Sequence, residues 1–151
     1  MRRRRLAAEL TTVIGLAAIV LGVWLPWLVV HPEHTGPVPR FYISGMRYGI
    51  EASDWWILGV AVLGVGNAVD LSGRRDRAAG VAGAVAGTGA LLLTLLGAES
   101  LPACLSLPEP IAFGHTADCV YVYGPGVFLT AVGGALLALA GGYLFLTATG
   151  G

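Results

Sequence analysis

The sequence predicts an all-α membrane protein: four transmembrane helices in one bundle, with a small extracytoplasmic β-sheet formed by two outer loops. Three observations predict it. Charged residues make up 12% of the 151 positions and hydrophobic ones 56%, with a mean hydropathy of +0.75; a soluble domain carries about twice that charge. The apolar residues fall in four long blocks, and the arginines lie almost wholly on one side of them. The length allows one domain, residues 1–151. A net charge of zero gives no bulk attraction to nucleic acid.

Leu10 to Val30 carries no charge, and about 20 apolar residues span a bilayer, so the first helix is expected over about 8–30. Arg2, Arg3, Arg4 and Arg5 resemble the basic region of a signal peptide. The apolar run that follows exceeds the usual 7–15 residues and ends in Trp24-Leu25-Pro26-Trp27, so an uncleaved helix is expected. Pro26 has no N–H to give the Gly22 carbonyl, which predicts a kink or an early exit there. A second helix is expected over 55–71, a third over 78–98 and a fourth over 126–148. In lipid each must be helical, because every backbone polar group needs an internal partner.

Orientation follows from the basic residues. There is no lysine, and seven of nine arginines lie in the N-terminal group or at Arg74, Arg75 and Arg77. Those regions share a side if there are four spans, which places both termini in the cytoplasm. Only Arg40 and Arg47 fall outside. Trp24, Trp27, Trp55 and Trp56 fall at the outer ends of the first two helices, as an interfacial belt would, and Tyr143 and Phe145 lie near the inner end of the fourth. Asp70 is expected to pair with Arg74 or Arg75. The absence of lysine and glutamine, with much Ala, Gly, Val and Leu, reads as a GC-rich prokaryotic genome and hence a cytoplasmic (inner) membrane location.

Helix association inside lipid relies on close packing through small residues. Ala79, Gly83 and Gly87 recur every four residues on the third helix, and Gly134, Ala138 and Gly142 do so on the fourth. These stripes either pack the two helices together or face a partner chain or a second copy.

The outer loops, 31–54 and 99–125, are long enough to be ordered or functional. Runs on either side of Ser44-Gly45, within Arg40–Ile50, read as a hairpin. Cys119–Tyr123 alternates as a strand does, and is expected to join that hairpin. Cys104 and Cys119 share an oxidising side, so a disulfide is expected, worth roughly 3 kcal/mol in the chain-entropy model. Aromatics and arginine favour interfaces, which singles out Arg40, Phe41, Tyr42, Arg47, Tyr48, Tyr121 and Tyr123 as a contact surface. His31, His34 and His115 are weak candidates for zinc or copper; the plainer reading is solvated loop histidines, so no metal or cofactor is expected.

The sequence contains no G-x-S-x-G, H-E-x-x-H or G-x-x-x-x-G-K-[ST]. No ionisable residue falls near the middle of a predicted span, where a proton-coupled transporter would carry one. Thr11, Thr12, Thr88, Thr94 and Thr130 do not form a continuous polar stripe.

Gly22-Val23-Trp24-Leu25-Pro26-Trp27, Ser44-Gly45 and Pro125-Gly126-Val127-Phe128-Leu129 resemble a loose set of uncharacterised prokaryotic four-span membrane proteins. Those carry G-x-x-L-P-W at the end of the first helix, an outer S-G, and P-G-x-x-L opening the last. The resemblance implies the four-span layout and brings no activity. By analogy of architecture the layout is similar to claudins and tetraspanins. Claudins, however, place their cysteine pair in the first outer loop, and tetraspanins carry C-C-G in a larger second one. The functional expectation is a non-enzymatic scaffold or accessory subunit binding another membrane or envelope protein, or itself. The alternatives are a small oligomeric transporter or channel, and an outer-face metal-binding accessory protein.

Overall fold

A computed structural model describes residues 2–30, 56–57, 59–61, 76–99, 101 and 121–149. Within them run α1 (Arg2–Trp24), β1 (Leu28–Val30), α2 (Asp76–Glu99), β2 (Tyr121–Tyr123) and α3 (Pro125–Thr149). Leu6–Trp24, Arg77–Glu99 and Pro125–Thr147 are each long and apolar enough to cross a bilayer, which marks a membrane-embedded chain. Their surfaces agree. Leu21, Val85, Leu96, Leu139 and Leu146 stand exposed along the helices, a face that water would penalise and acyl chains accept. Of the helix expected over 55–71, residues 56–57 and 59–61 are helical. Ile57 and Ala61 are fully buried there. Its other positions lie outside the described residues.

The last helix is the shared wall of the bundle, packing on both α1 and α2. On α1, Gly22 faces Gly126 and Thr130, while Gly15 faces Gly133 and Leu137. On α2, Gly80 faces Gly141 and Phe145, while Gly87 faces Gly134 and Ala138. Both neighbours therefore run antiparallel to α3, and α1 and α2 run in the same direction.

One expectation needs correction. The first helix ends at Trp24 rather than near Val30. Leu25 still donates to the Leu21 carbonyl at 3.0 Å, but Pro26 has no N–H with which to continue, and the residue before a proline is disfavoured in the helical region. Leu28–Val30, freed from the helix, becomes the partner of β2. Leu28 stands opposite Tyr123, Val29 opposite Val122 and Val30 opposite Tyr121, antiparallel. The strand expected to join the Arg40–Ile50 hairpin thus pairs with the exit of α1, and the hairpin lies outside the described residues.

Two strands alone are marginal; these are tied down. The Tyr123 hydroxyl donates to the Ala98 carbonyl at 3.1 Å, in the last turn of α2 where carbonyls lack helical partners. Leu101 N–H donates to the same oxygen at 3.1 Å. Tyr123→Phe should lower stability by about 1 kcal/mol, visible as a drop of a few degrees in Tm in mild detergent; an unchanged Tm would mean that the bond contributes nothing.

Candidate functional site

The feature with most structure is the end of the bundle where α1 ends and α3 begins. It is built around Trp27. Pro26 leaves the Gly22 carbonyl without its usual donor, and Trp27 Nε1 donates to that oxygen at 2.9 Å. The Trp27 side chain is fully buried. Its ring reaches the first turn of α3, where a Cβ on Gly126 would stand 2.6 Å from Trp27 Cδ1 and 2.6 Å from the Gly22 oxygen. Only glycine leaves that room.

The start of α3 closes the same joint. Pro125 occupies the first helical position, where a missing N–H costs nothing. Gly124 N–H donates to the Trp27 carbonyl at 2.8 Å and Gly126 N–H to the Pro26 carbonyl at 3.2 Å, supplying acceptors that the helix itself cannot. A Cβ on Gly124 would collide with the Pro26 oxygen. The Gly22–Trp27 and Pro125–Leu129 motifs, nearly a hundred positions apart in sequence, are therefore one interlocked joint. Around it Ile57, Ala98, Leu101, Tyr121 and Val127 complete a buried cluster. This platform fixes where residues 31 onward leave the bundle and where residues up to 120 return.

Trp27, expected in an interfacial belt, is instead core, whereas Trp24 and Trp56 are exposed at 59% and 69%. Tyr121, expected on a contact surface, is buried in the cluster at 6% exposure, and Tyr123 is half-buried with its hydroxyl committed to Ala98. Arg40, Phe41, Tyr42, Arg47, Tyr48, Cys104, Cys119, His31, His34 and His115 lie outside the described residues.

Of the small-residue stripes, Gly87 meets Gly134 and Ala138 across the α2–α3 seam, while Gly83 meets Gly141 rather than a stripe residue. Gly142 does not: a Cβ there would meet nothing within 4 Å, and Gly141 makes the contact instead, against the backbone of Ala84 and Gly83. Ala79 is half-buried, and beside it Gly80 makes the close approach. Sequence reasoning missed the α1–α3 seam altogether. The signal was a period of seven rather than four: Gly15 with Gly22, Gly126 with Gly133, Gly80 with Gly87, Gly134 with Gly141. A seven-residue repeat keeps one face toward a partner in left-handed packing.

The buried hydroxyls stay within their own helices. Thr94 donates to the Ala90 carbonyl and Thr130 to the Gly126 carbonyl, each at 2.7 Å and each fully buried. Thr11 and Thr12 donate likewise to Ala7 and Ala8 at 2.8 and 2.9 Å. Thr130→Val, of matching shape, should change stability by less than about 1 kcal/mol; a larger loss in a chemical-unfolding titration would show that the hydroxyl serves another partner.

Among the described residues no group of three His, Cys, Asp or Glu is placed to hold a metal ion. No protein-family model, curated protein or solved structure matches this chain.

Proposed function

We propose that this protein is a non-enzymatic membrane scaffold or accessory subunit that binds another membrane or envelope protein, or itself, through its outer loops. The observation that carries the reading is the platform around Trp27. It gives both loops fixed roots, while the buried threonines of the bundle donate only to their own helices. Because the glycine seams are occupied by α3, the contact surface falls to the loops, with Arg40, Phe41, Tyr42, Arg47 and Tyr48 as its anchors.

The layout completes the proposal. Since α1 and α2 run in the same direction, residues 31–75 leave from one end of the bundle and return at the other, and only a helix makes that crossing in lipid. A fourth span over 55–71 supplies it. Both termini then lie at the arginine-rich end, taken as cytoplasmic in a prokaryotic inner membrane. Leu101 and Tyr121 share one cluster, so the segment carrying Cys104 and Cys119 has adjacent roots, which favours the disulfide between them. Non-reducing peptide mapping should recover that linked pair; two free thiols would remove it.

The test is a gentle pulldown of the tagged protein from native membranes, with mass spectrometry and sizing. A stoichiometric foreign partner, lost with Arg47→Ala and Tyr48→Ala, or a homo-oligomer broken by the same changes, supports the reading. A lone monomer, or solute flux in liposomes unaffected by those changes, overturns it.

A further inference from the structure

At the end of the α1–α3 seam away from the platform, the two helices border a groove of about 420 Å³ lined by Ala7, Ala8, Thr11, Leu139, Ala140 and Tyr143. That volume is within the roughly 300–1,000 Å³ of small-molecule sites. The lining is apolar except for two groups. Thr11 donates its hydroxyl to the Ala7 carbonyl, and Tyr143 is exposed. The turn of α1 leading into the groove carries Arg2, Arg3, Arg4 and Arg5, against which Glu9 is the one acidic residue of the helix. An open apolar slot in a membrane helix pair, ending at a net positive turn, has the chemistry of an acyl chain joined to an anionic headgroup.

We infer that this groove holds an anionic phospholipid of the leaflet reached by the N-terminus, its acyl chain between Ala7 and Leu139 and its phosphate at the arginine turn. Charge complementarity selects that occupant over a zwitterionic lipid, and over a second copy of the chain, which would bring four more arginines to the same place. The inference is independent of what binds the outer loops.

The experiment is native mass spectrometry of the full-length protein released from mixed micelles. The probes are phosphatidylglycerol and phosphatidylcholine of identical chains, and two variants are compared with wild type. Ala7→Trp fills the groove from an exposed position, and a variant with Arg2, Arg3, Arg4 and Arg5 all changed to Gln removes the charge. Wild type should retain phosphatidylglycerol about tenfold better than phosphatidylcholine. Ala7→Trp should lose bound lipid of both kinds while keeping the wild-type Tm, and the arginine variant should lose only the preference. Equal retention of the two lipids by wild type overturns the inference. So does undiminished phosphatidylglycerol binding by a folded Ala7→Trp, which would leave only a charged surface. If Ala7→Trp fails to fold, Leu139→Trp, at 69% exposure, is read in the same way. Oxidative cross-linking of Leu139→Cys between copies in native membranes, at high yield, would place a second copy in the groove and also overturn it.

Discussion

Gly141→Ala should destabilise the bundle by about 1–3 kcal/mol, the range for overpacking a well-filled interface, whereas Gly142→Ala should be neutral or slightly stabilising. The two positions are adjacent on α3 and chemically identical. A Cβ at Gly141 would run into the Ala84 nitrogen and lie 2.6 Å from the Gly83 carbonyl carbon and 2.8 Å from the Gly80 oxygen. These are backbone atoms of α2, which cannot rotate away as a side chain would. At Gly142 the new methyl meets nothing within 4 Å, and alanine is the better helix former by up to about 1 kcal/mol. Unfolding titrations in SDS and mild detergent would separate them. Equal effects at both positions would mean that α2 and α3 do not meet through this seam. Gly87→Ala, directed at the Ala138 backbone, should behave like Gly141→Ala.

Trp27→Phe should cost about 1–3 kcal/mol, the penalty for a buried polar group left without its partner, and Trp27→Ala about 3–5 kcal/mol for the added cavity. The indole N–H is the donor that replaces the one Pro26 lacks. A second change tests that cause. Pro26→Ala restores an N–H one position beyond Leu25, which already donates helically to Leu21. In the Trp27→Phe background it should recover part of the loss, whereas alone it should not stabilise. A Trp27→Phe protein as stable as wild type would show that the Gly22 carbonyl finds another donor and that Trp27 acts by volume alone.

The three apolar helices were legible because their cause is local. A run without charge, long enough for the bilayer, needs no knowledge of its neighbours. The end of α1 was half legible. Pro26 predicted an early exit, yet the apolar Leu28-Val29-Val30 read as more helix, because hydropathy does not distinguish a buried strand from a buried turn of helix. Its strand partner at Tyr121–Tyr123 lies some ninety positions away, and no local signal links them. Trp27 shows the same limit. Four tryptophans near one membrane face suggest a belt, but which of them turns inward depends on the carbonyl that Pro26 leaves open. On the small-residue stripes a period of four found Gly83 and Gly87 and missed Gly141, since the helices meet with the seven-residue period of Gly80, Gly87, Gly134 and Gly141.

The central claim is that α3 stands antiparallel between two neighbours within one chain. The most direct measurement is cysteine cross-linking in native membranes with Gly15→Cys and Leu136→Cys, the linked peptides identified by mass. A Cβ at position 15 lies 3.3 Å from the Leu136 Cβ, close to the roughly 3.5–4.5 Å of a disulfide. The account predicts rapid intramolecular linking of this pair, and none when Leu136→Cys is replaced by Leu146→Cys, at the far end of α3. Linking to position 146 instead, or to neither, would contradict it.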